Sequence, residues 1–249
     1  MAKKIIILYV LMFFACSPSK YNFKHYLEVK GKDYLHVKGQ VDVDLVPNGE
    51  FVFYDQFEKE YSKGKYSKGF KTGDWVYGLG SLDTVVVWQR SSLDSLEFSK
   101  IDKWELLKKE GYRAFFLSRK NDSIANEIVG IRTHPISSNG IKGFSEEFLD
   151  EVQDMNVLHK VLDYSQVCKE MHGDQEVFFY QFVGKTKRGE SFLSFSFIAY
   201  SPDREKLIDV YYLSTNDQGE LKFKIFNDFI MDIRLGGELL VGKKWGYIN

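Results

Sequence analysis

Residues 61–77 read Tyr61-Ser62-Lys63-Gly64-Lys65-Tyr66-Ser67-Lys68-Gly69-Phe70-Lys71-Thr72-Gly73-Asp74-Trp75-Val76-Tyr77, and the spacing of their glycines and aromatics decides how the first part of the chain folds. Residues at i and i+2 of a strand share a face, so Trp75 and Tyr77, which follow Gly73 at two and four residues, lie side by side. Moving 24 residues upstream, Gly49, Phe51 and Phe53 repeat that order, and Lys63-Gly64 finds its counterpart in Lys38-Gly39 at a spacing of 25. A fixed period of this size marks a repeated two-stranded unit. One hairpin cannot cover its own aromatic face, so a stacked neighbour must bury the stripe. Val41-Asp42-Val43-Asp44-Leu45 alternates as a half-buried strand does, and Asn48-Gly49 offers the left-handed turn of a tight hairpin. A small antiparallel sheet is therefore expected over residues 31–100, with one more strand at Val85-Val86-Val87-Trp88 and a polar connection after it.

The pattern Y-x2-G-x4-G-x3-G-x-W-x-Y in residues 61–77 resembles MORN-type repeats, in particular the variant found in bacterial lipoproteins and antitoxin-like proteins. The resemblance covers about fifty residues, one good copy and one degraded copy. It implies glycines at hairpin turns, aromatics stacked along the sheet, and a platform for proteins or membranes that carries no catalytic residues. Tyr61, Tyr66, Trp75 and Tyr77 are the candidate binding residues on that platform. The same residues also admit a plainer reading, in which the rings are the buried face of a small sheet and the lysines its solvated outer side.

Towards the N-terminus, Lys3-Lys4 precede an apolar run from Ile5 to Ala15, followed by Cys16. A helix that crosses a bilayer needs about 20 apolar residues, so this run fits the short apolar core of a signal peptide instead. Phe13-Phe14-Ala15-Cys16 resembles the lipobox of bacterial lipoproteins, with Phe13 where Leu is most common and Phe14 where a small residue is usual. The resemblance implies cleavage before Cys16, a diacylglycerol on its thiol and an acylated amine, and stable anchoring requires more than one chain. Residues 1–15 are then a signal peptide and residues 16–30 a lipidated tether. In that tether Lys20, Lys24 and Lys30 near anionic lipid would gain about 1 kcal/mol each. A secretory signal with an incidental cysteine, or an ordinary solvated linker, fits the same residues. Ser17 after the cysteine leans towards the outer membrane under the sorting rule of enteric bacteria.

Composition narrows the rest. With lipid on Cys16, the only other cysteine, Cys168, has no partner for an intramolecular disulfide. The 234 residues from Cys16 onward are enough to bury a core without one. Without Lys3 and Lys4 there are 32 basic against 35 acidic side chains, which is no footprint for nucleic acid. Twenty-one Phe, 15 Tyr and only 4 Pro favour sheet over disorder.

From residue 101 the order of elements changes. Trp104–Leu107, Tyr112–Leu117 and Ile124–Thr133 read as strands. Ser145 is placed to cap a helix over 146–156, with Phe144 and Leu149 as a hydrophobic staple. Phe148, Leu149, Val152 and Met155 form its apolar stripe. Val177–Val183, Phe192–Tyr200 and Leu207–Leu213 then form an antiparallel meander across two polar turns, and Phe226, Phe229, Ile230 and Ile233 mark a last helix ended by Gly236-Gly237. The expectation for the whole chain is α+β: a small antiparallel β-hairpin repeat sheet, then an α/β/α sandwich-like domain with an antiparallel sheet over 101–249. This order, with Tyr212-Leu213 leading into the last helix, resembles the Mog1/PsbP-like sandwich, whose members mostly bind or help assemble other proteins.

Chemistry is thinly marked. No phosphate-binding glycine loop and no G-x-S-x-G elbow is present. His25, His36, His134, His159 and His172 are scattered without zinc-ligand spacing. Cys168 and His172 are the one thiol–imidazole pair close in sequence, with nothing nearby to mark an orienting base or an oxyanion site. Glu146, Glu147, Asp150, Glu151 and Asp154 are the solvent face of the expected helix, the first two near its positive end. No catalytic residue, metal site or cofactor is expected. Three classes of function remain: a non-enzymatic envelope lipoprotein that binds another envelope protein, a carrier of a lipid or small hydrophobic molecule, and an enzyme whose site has no local motif.

Overall fold

The computed structural model describes residues 20–29, 32–55, 57–79, 82–121, 124–136, 159–172, 175–186, 189, 191–201, 203, 205–215 and 219–240. Cys16 and the helix expected over 146–156 lie outside them. The chain forms two compact units, one ending at Val87 and the other beginning at Trp88.

The first unit is a meander of β1 (Tyr21–Val29), β2 (Lys32–Val41), β3 (Pro47–Tyr54), β4 (Glu60–Ser67) and β5 (Phe70–Leu79), each antiparallel to the next. The strand β6 (Leu82–Leu93) crosses the boundary at Val87. Three readings are corrected here. The segment assigned to the tether is strand from Tyr21 onward and pairs with β2 along its whole length, from Tyr21↔Val41 to Val29↔Lys32. Val41–Leu45 is not a strand, because β2 stops at Val41 and Asp42 folds the chain into a loop. Its Oδ1 accepts from the backbone N–H groups of Asp44 at 3.0 Å and Val46 at 2.9 Å, a side-chain substitute for a ladder bond. Asn48-Gly49 is likewise not the turn, since both residues lie inside β3. The tight turn is Lys68-Gly69, both at positive φ, which is the two-residue geometry that matches strand twist.

The second unit begins with the last part of β6, which pairs with β7 (Leu96–Ile101) through a turn at Asp94. The expected polar connection after residue 90 is therefore a hairpin, and it belongs to the second unit. Phe98 packs edge-on to Phe116 at 5.3 Å and near Phe229 at 6.1 Å, and Trp88 meets Trp104 at 6.4 Å. For that reason the units divide at residue 87 and not near 100. Next come β8 (Glu105–Leu106), β9 (Ala114–Asn121), β10 (Ile124–Pro135), β11 (His159–His172), β12 (Gln175–Thr186), β13 (Ser191–Tyr200), β14 (Lys206–Ser214), α1 (Gly219–Met231), β15 (Arg234–Leu235) and β16 (Glu238–Leu239). The sheet order is β11-β12-β13-β14-β10-β9-β8, antiparallel throughout. The expected meander is β12–β14, and the expected last helix is α1.

The α/β/α sandwich is overturned. Among the described residues there are sixteen strands and one helix, so the unit is β-rich, with α1 on one sheet face. Strand alternation sends Phe179, Phe195 and Tyr212 to that face, where Phe223 and Phe226 meet them at 5.4–6.1 Å. The opposite face buries Phe178, Tyr180 and Phe182 beside Ile198 and Leu207. β11 was missed because its polar, mixed sequence shows neither a clean two-residue nor a 3.6-residue period.

Candidate functional site

The repeat found in the sequence has a physical basis in how each aromatic ring is seated. Gly39 of β2 and Gly64 of β4 both lie opposite Phe51 in the ladders. A Cβ added at Gly39 would fall 2.5 Å from the Phe51 ring, and one at Gly64 would fall inside the Trp75 ring's contact distance. Each glycine is thus the seat of a ring from the strand that follows it. The register lets the ring reach: between Lys63↔Val76 and Lys65↔Thr72 the fifth strand carries two extra residues, a bulge made possible by Gly73 at φ 66°. Gly49 stands at the same distance before its ring in the upstream copy, where Gly39↔Phe51 gives way to Val41↔Pro47.

This seating decides the fate of the candidate binding residues. Trp75 and Tyr77 are 0 % exposed and Tyr66 is buried. Tyr66 packs edge-on to Phe51 at 4.9 Å and to Trp75 at 5.2 Å, while the Trp75 indole N–H donates to Lys65 O at 3.1 Å. Tyr61 is half-buried, with its ring 6.1 Å from Phe53 and 6.4 Å from His36. The structure turns Tyr66, Trp75 and Tyr77 inward and leaves Tyr61 at the margin of the aromatic face, so these three rings hold the unit together instead of presenting a surface. One lysine also departs from the solvated outer row. Lys71 is buried, and its ammonium lies 3.4 Å from the Trp75 ring centroid and 5.0 Å from those of Phe53 and Tyr66. A cation is attracted by the negative face of such rings, and more so when desolvated.

Gly64→Ala follows as a test. The added methyl must displace the Trp75 ring, and overpacking of this kind costs about 1–3 kcal/mol. Urea unfolding followed by tryptophan fluorescence is expected to show that loss, while Gly111→Ala, with open space around it but a positive φ, reports the cost of backbone strain alone.

Of the three buried carboxylates among the described residues of the second unit, Glu127 and Asp209 each gather several polar groups, and Asp232 accepts from Ser99. Glu127, 0 % exposed, accepts from Lys103 Nζ at 2.9 Å, from Trp104 Nε1 at 2.8 Å and from Lys222 Nζ of α1. Burial pushes its carboxyl up, but the Lys222 and Lys103 ammonium groups outweigh this and hold it below the usual range. Burial likewise pulls Lys222 below the usual lysine range against the opposing pull of Glu127. Burial, with Glu127 nearby, raises the Tyr212 phenol. Asp209, also fully buried, accepts from Arg132 Nε at 2.9 Å and Nη2, and from Ser196 Oγ at 3.1 Å. The Arg132 guanidinium lies over the rings of Tyr112 and Tyr211 at 5.7 and 5.6 Å.

Ser196, His134 and Asp209 lie together, but not as a nucleophile with its base. Ser196 donates straight to the carboxylate, and His134 Nε2 is 3.9 Å from the Asp209 carboxylate; acyl-transfer chemistry needs the hydroxyl to donate to the imidazole. Cys168 and His172 are four residues apart along β11, which separates their Cα atoms by about 13 Å and dissolves the pair suggested by their spacing. Among the described residues no three His, Cys, Asp or Glu side chains gather to hold a metal, and no helix is long and apolar enough to cross a membrane. Neither Glu127 nor Asp209 was singled out from the sequence. The signal for Asp209 was present, as an acid inside the apolar run Leu207–Leu213; Glu127 had none, since Lys222 is 95 residues away.

No family model and no curated protein matches the chain. The solved structures similar to it include PsbP from Synechocystis sp. PCC 6803 (14 % identity, 64 % of this chain and 97 % of that one, TM-score 0.44). They also include the Ran-binding protein Mog1p of Saccharomyces cerevisiae (6 %, 61 % and 96 %, 0.44) and a point mutant of Mog1 (6 %, 63 % and 97 %, 0.43). All three scores lie below 0.5, and they bear on neither the activity nor the partners of this chain.

Proposed function

We propose that this chain is a bacterial envelope lipoprotein, anchored through Cys16, whose two units serve as a non-enzymatic module that engages another envelope protein. The observation that carries the anchor is the run Lys3-Lys4, Ile5–Ala15, Cys16, and Ser17 directs the proposal to the outer membrane. The seating of Phe51 and Trp75 on Gly39 and Gly64 supports a MORN-like platform in the first unit. In the second unit the buried carboxylates of Glu127 and Asp209 are engaged by side chains of their own unit, which favours scaffold over catalyst. Between α1 and its sheet the rings of Phe223, Phe226 and Phe229 pack against Phe195 and Trp104, which supports a packed scaffold there.

The anchor is tested by Cys16→Ser, which is expected to move the protein from the membrane fraction to the soluble fraction; unchanged sedimentation overturns it. Crosslinking in intact cells, with partners identified by mass spectrometry, tests the interaction. One dominant envelope protein is expected, and recovery of none shifts the reading towards a carrier or an enzyme.

A further inference from the structure

One end of the first sheet places three exposed apolar side chains, Tyr21, Val43 and Leu45, beside the first described residue of the chain, Lys20. Tyr21, the first residue of β1, pairs with Val41, the last of β2. The Asp42 loop follows at once and closes through Asp42 N to Val46 O at 3.0 Å. Pro47 then accepts at its carbonyl from Gly69 N at 2.8 Å, which brings the Lys68-Gly69 turn to the same end. Val43 is 62 % exposed, Leu45 69 % and Tyr21 51 %. Leu45 is moreover held at φ 60°, a left-handed conformation that costs a branched side chain about 1 kcal/mol. The loop's own hydrogen bonds, Leu45 N to Asp42 O at 3.1 Å among them, hold that conformation and keep the side chain turned to solvent.

The charge around these side chains is mixed, with Lys20, Lys65 and Lys68 against Asp42, Asp44 and Glu50. Lys20 and Lys65 line one groove with Gln40, Asn48 and Thr72, and Lys68 is exposed at the neighbouring turn. Asp44 and Glu50 are the exposed acids there. Lys20 lies four positions after Cys16, and an extended chain spans at most about 3.5 Å per residue. A lipid on Cys16 therefore holds this end within roughly 14 Å of the membrane surface.

We infer that this end of the first unit rests on the bilayer, with Val43 and Leu45 seated among the lipid head groups and acyl-chain boundary and Lys20, Lys65 and Lys68 facing anionic phosphates. Apolar side chains beside cations are what the interface takes up. This contact rests on the lipid anchor at Cys16. It fixes which end of the sheet faces outward: the loop after β3, where Phe57 is 80 % exposed, points away from the membrane.

The experiment uses the lipidated full chain in a Cys168→Ser background, labelled through Val43→Cys, Leu45→Cys or Phe57→Cys with an environment-sensitive fluorophore. Each is reconstituted into phosphatidylethanolamine–phosphatidylglycerol vesicles containing brominated acyl chains. Quenching at positions 43 and 45 is expected to exceed that at position 57 at least threefold. Equal quenching at the three positions, or none at 43 and 45, overturns the inference while leaving the anchor standing. The intact mass of the same preparation reports the anchor separately. A chain without the added diacylglycerol overturns both.

Discussion

Glu127→Ala is expected to lower the stability of the second unit by about 3–5 kcal/mol, the loss typical of breaking a buried ion pair from one side. The variant strands the Lys222 ammonium, only 3 % exposed, and leaves the buried Trp104 indole N–H without the acceptor it has in Glu127. Lys103 is more exposed and is expected to contribute little once its partner is gone. Thermal unfolding by circular dichroism gives the difference. A loss below about 1 kcal/mol would mean that Glu127 is dispensable and that the cluster is not what joins α1 to β10. The same carboxyl sets a pH dependence. Its folded-state pKa lies below the unfolded value, so its stabilisation is complete above about pH 4.3 and is lost as the pH falls through the folded-state pKa. Glu127→Gln should flatten that acid limb, and an unchanged acid limb would assign it to other carboxylates.

Trp75→Ala is expected to cost the first unit about 3–5 kcal/mol, as removal of a fully buried large aromatic does. The deletion uncovers Gly64, removes the edge contact with Tyr66 and opens the face against which the Lys71 ammonium rests. Amide hydrogen exchange resolves the loss by strand, and the fastest gain is expected in β4 and β5. Trp75→Phe should recover part of the stability by refilling the seat on Gly64. If Trp75→Ala left exchange in β4 and β5 untouched and abolished only partner capture, the ring would belong to a binding surface and its seating on Gly64 would be wrong.

The aromatic repeat was legible because parity and glycine are local signals: Gly73, Trp75 and Tyr77 carry their arrangement within five residues. The loop at Asp42 was not legible from alternation. Val41–Leu45 has the hydropathy of a strand, and a single carboxylate oxygen bonded to two backbone N–H groups decides against it. Tyr21–Val29 read as a tether because its lysines and tyrosines carry no core signature, and it is strand because β2 offers it an edge. The hairpin of β6 and β7 was hidden by its serines. Ser99 is buried and donates to Asp232 at 2.6 Å across 133 residues of sequence, a pairing no window could contain. The site followed the same rule, since local spacing located the rings and tertiary placement alone decided that Trp75 and Tyr77 face inward.

The seating of each ring on a glycine of the preceding strand also makes the sheet a structure that can be copied. A duplicated segment of 24 or 25 residues arrives with both halves of the fit, a glycine to receive the ring before it and a ring for the glycine it follows. Gene-level gain or loss of a whole period therefore lengthens or shortens the sheet without a new core having to be found, whereas a cut inside the period leaves a ring without a seat. Lineages carrying this domain should differ in length by whole periods, with the span of the sheet as the trait that varies.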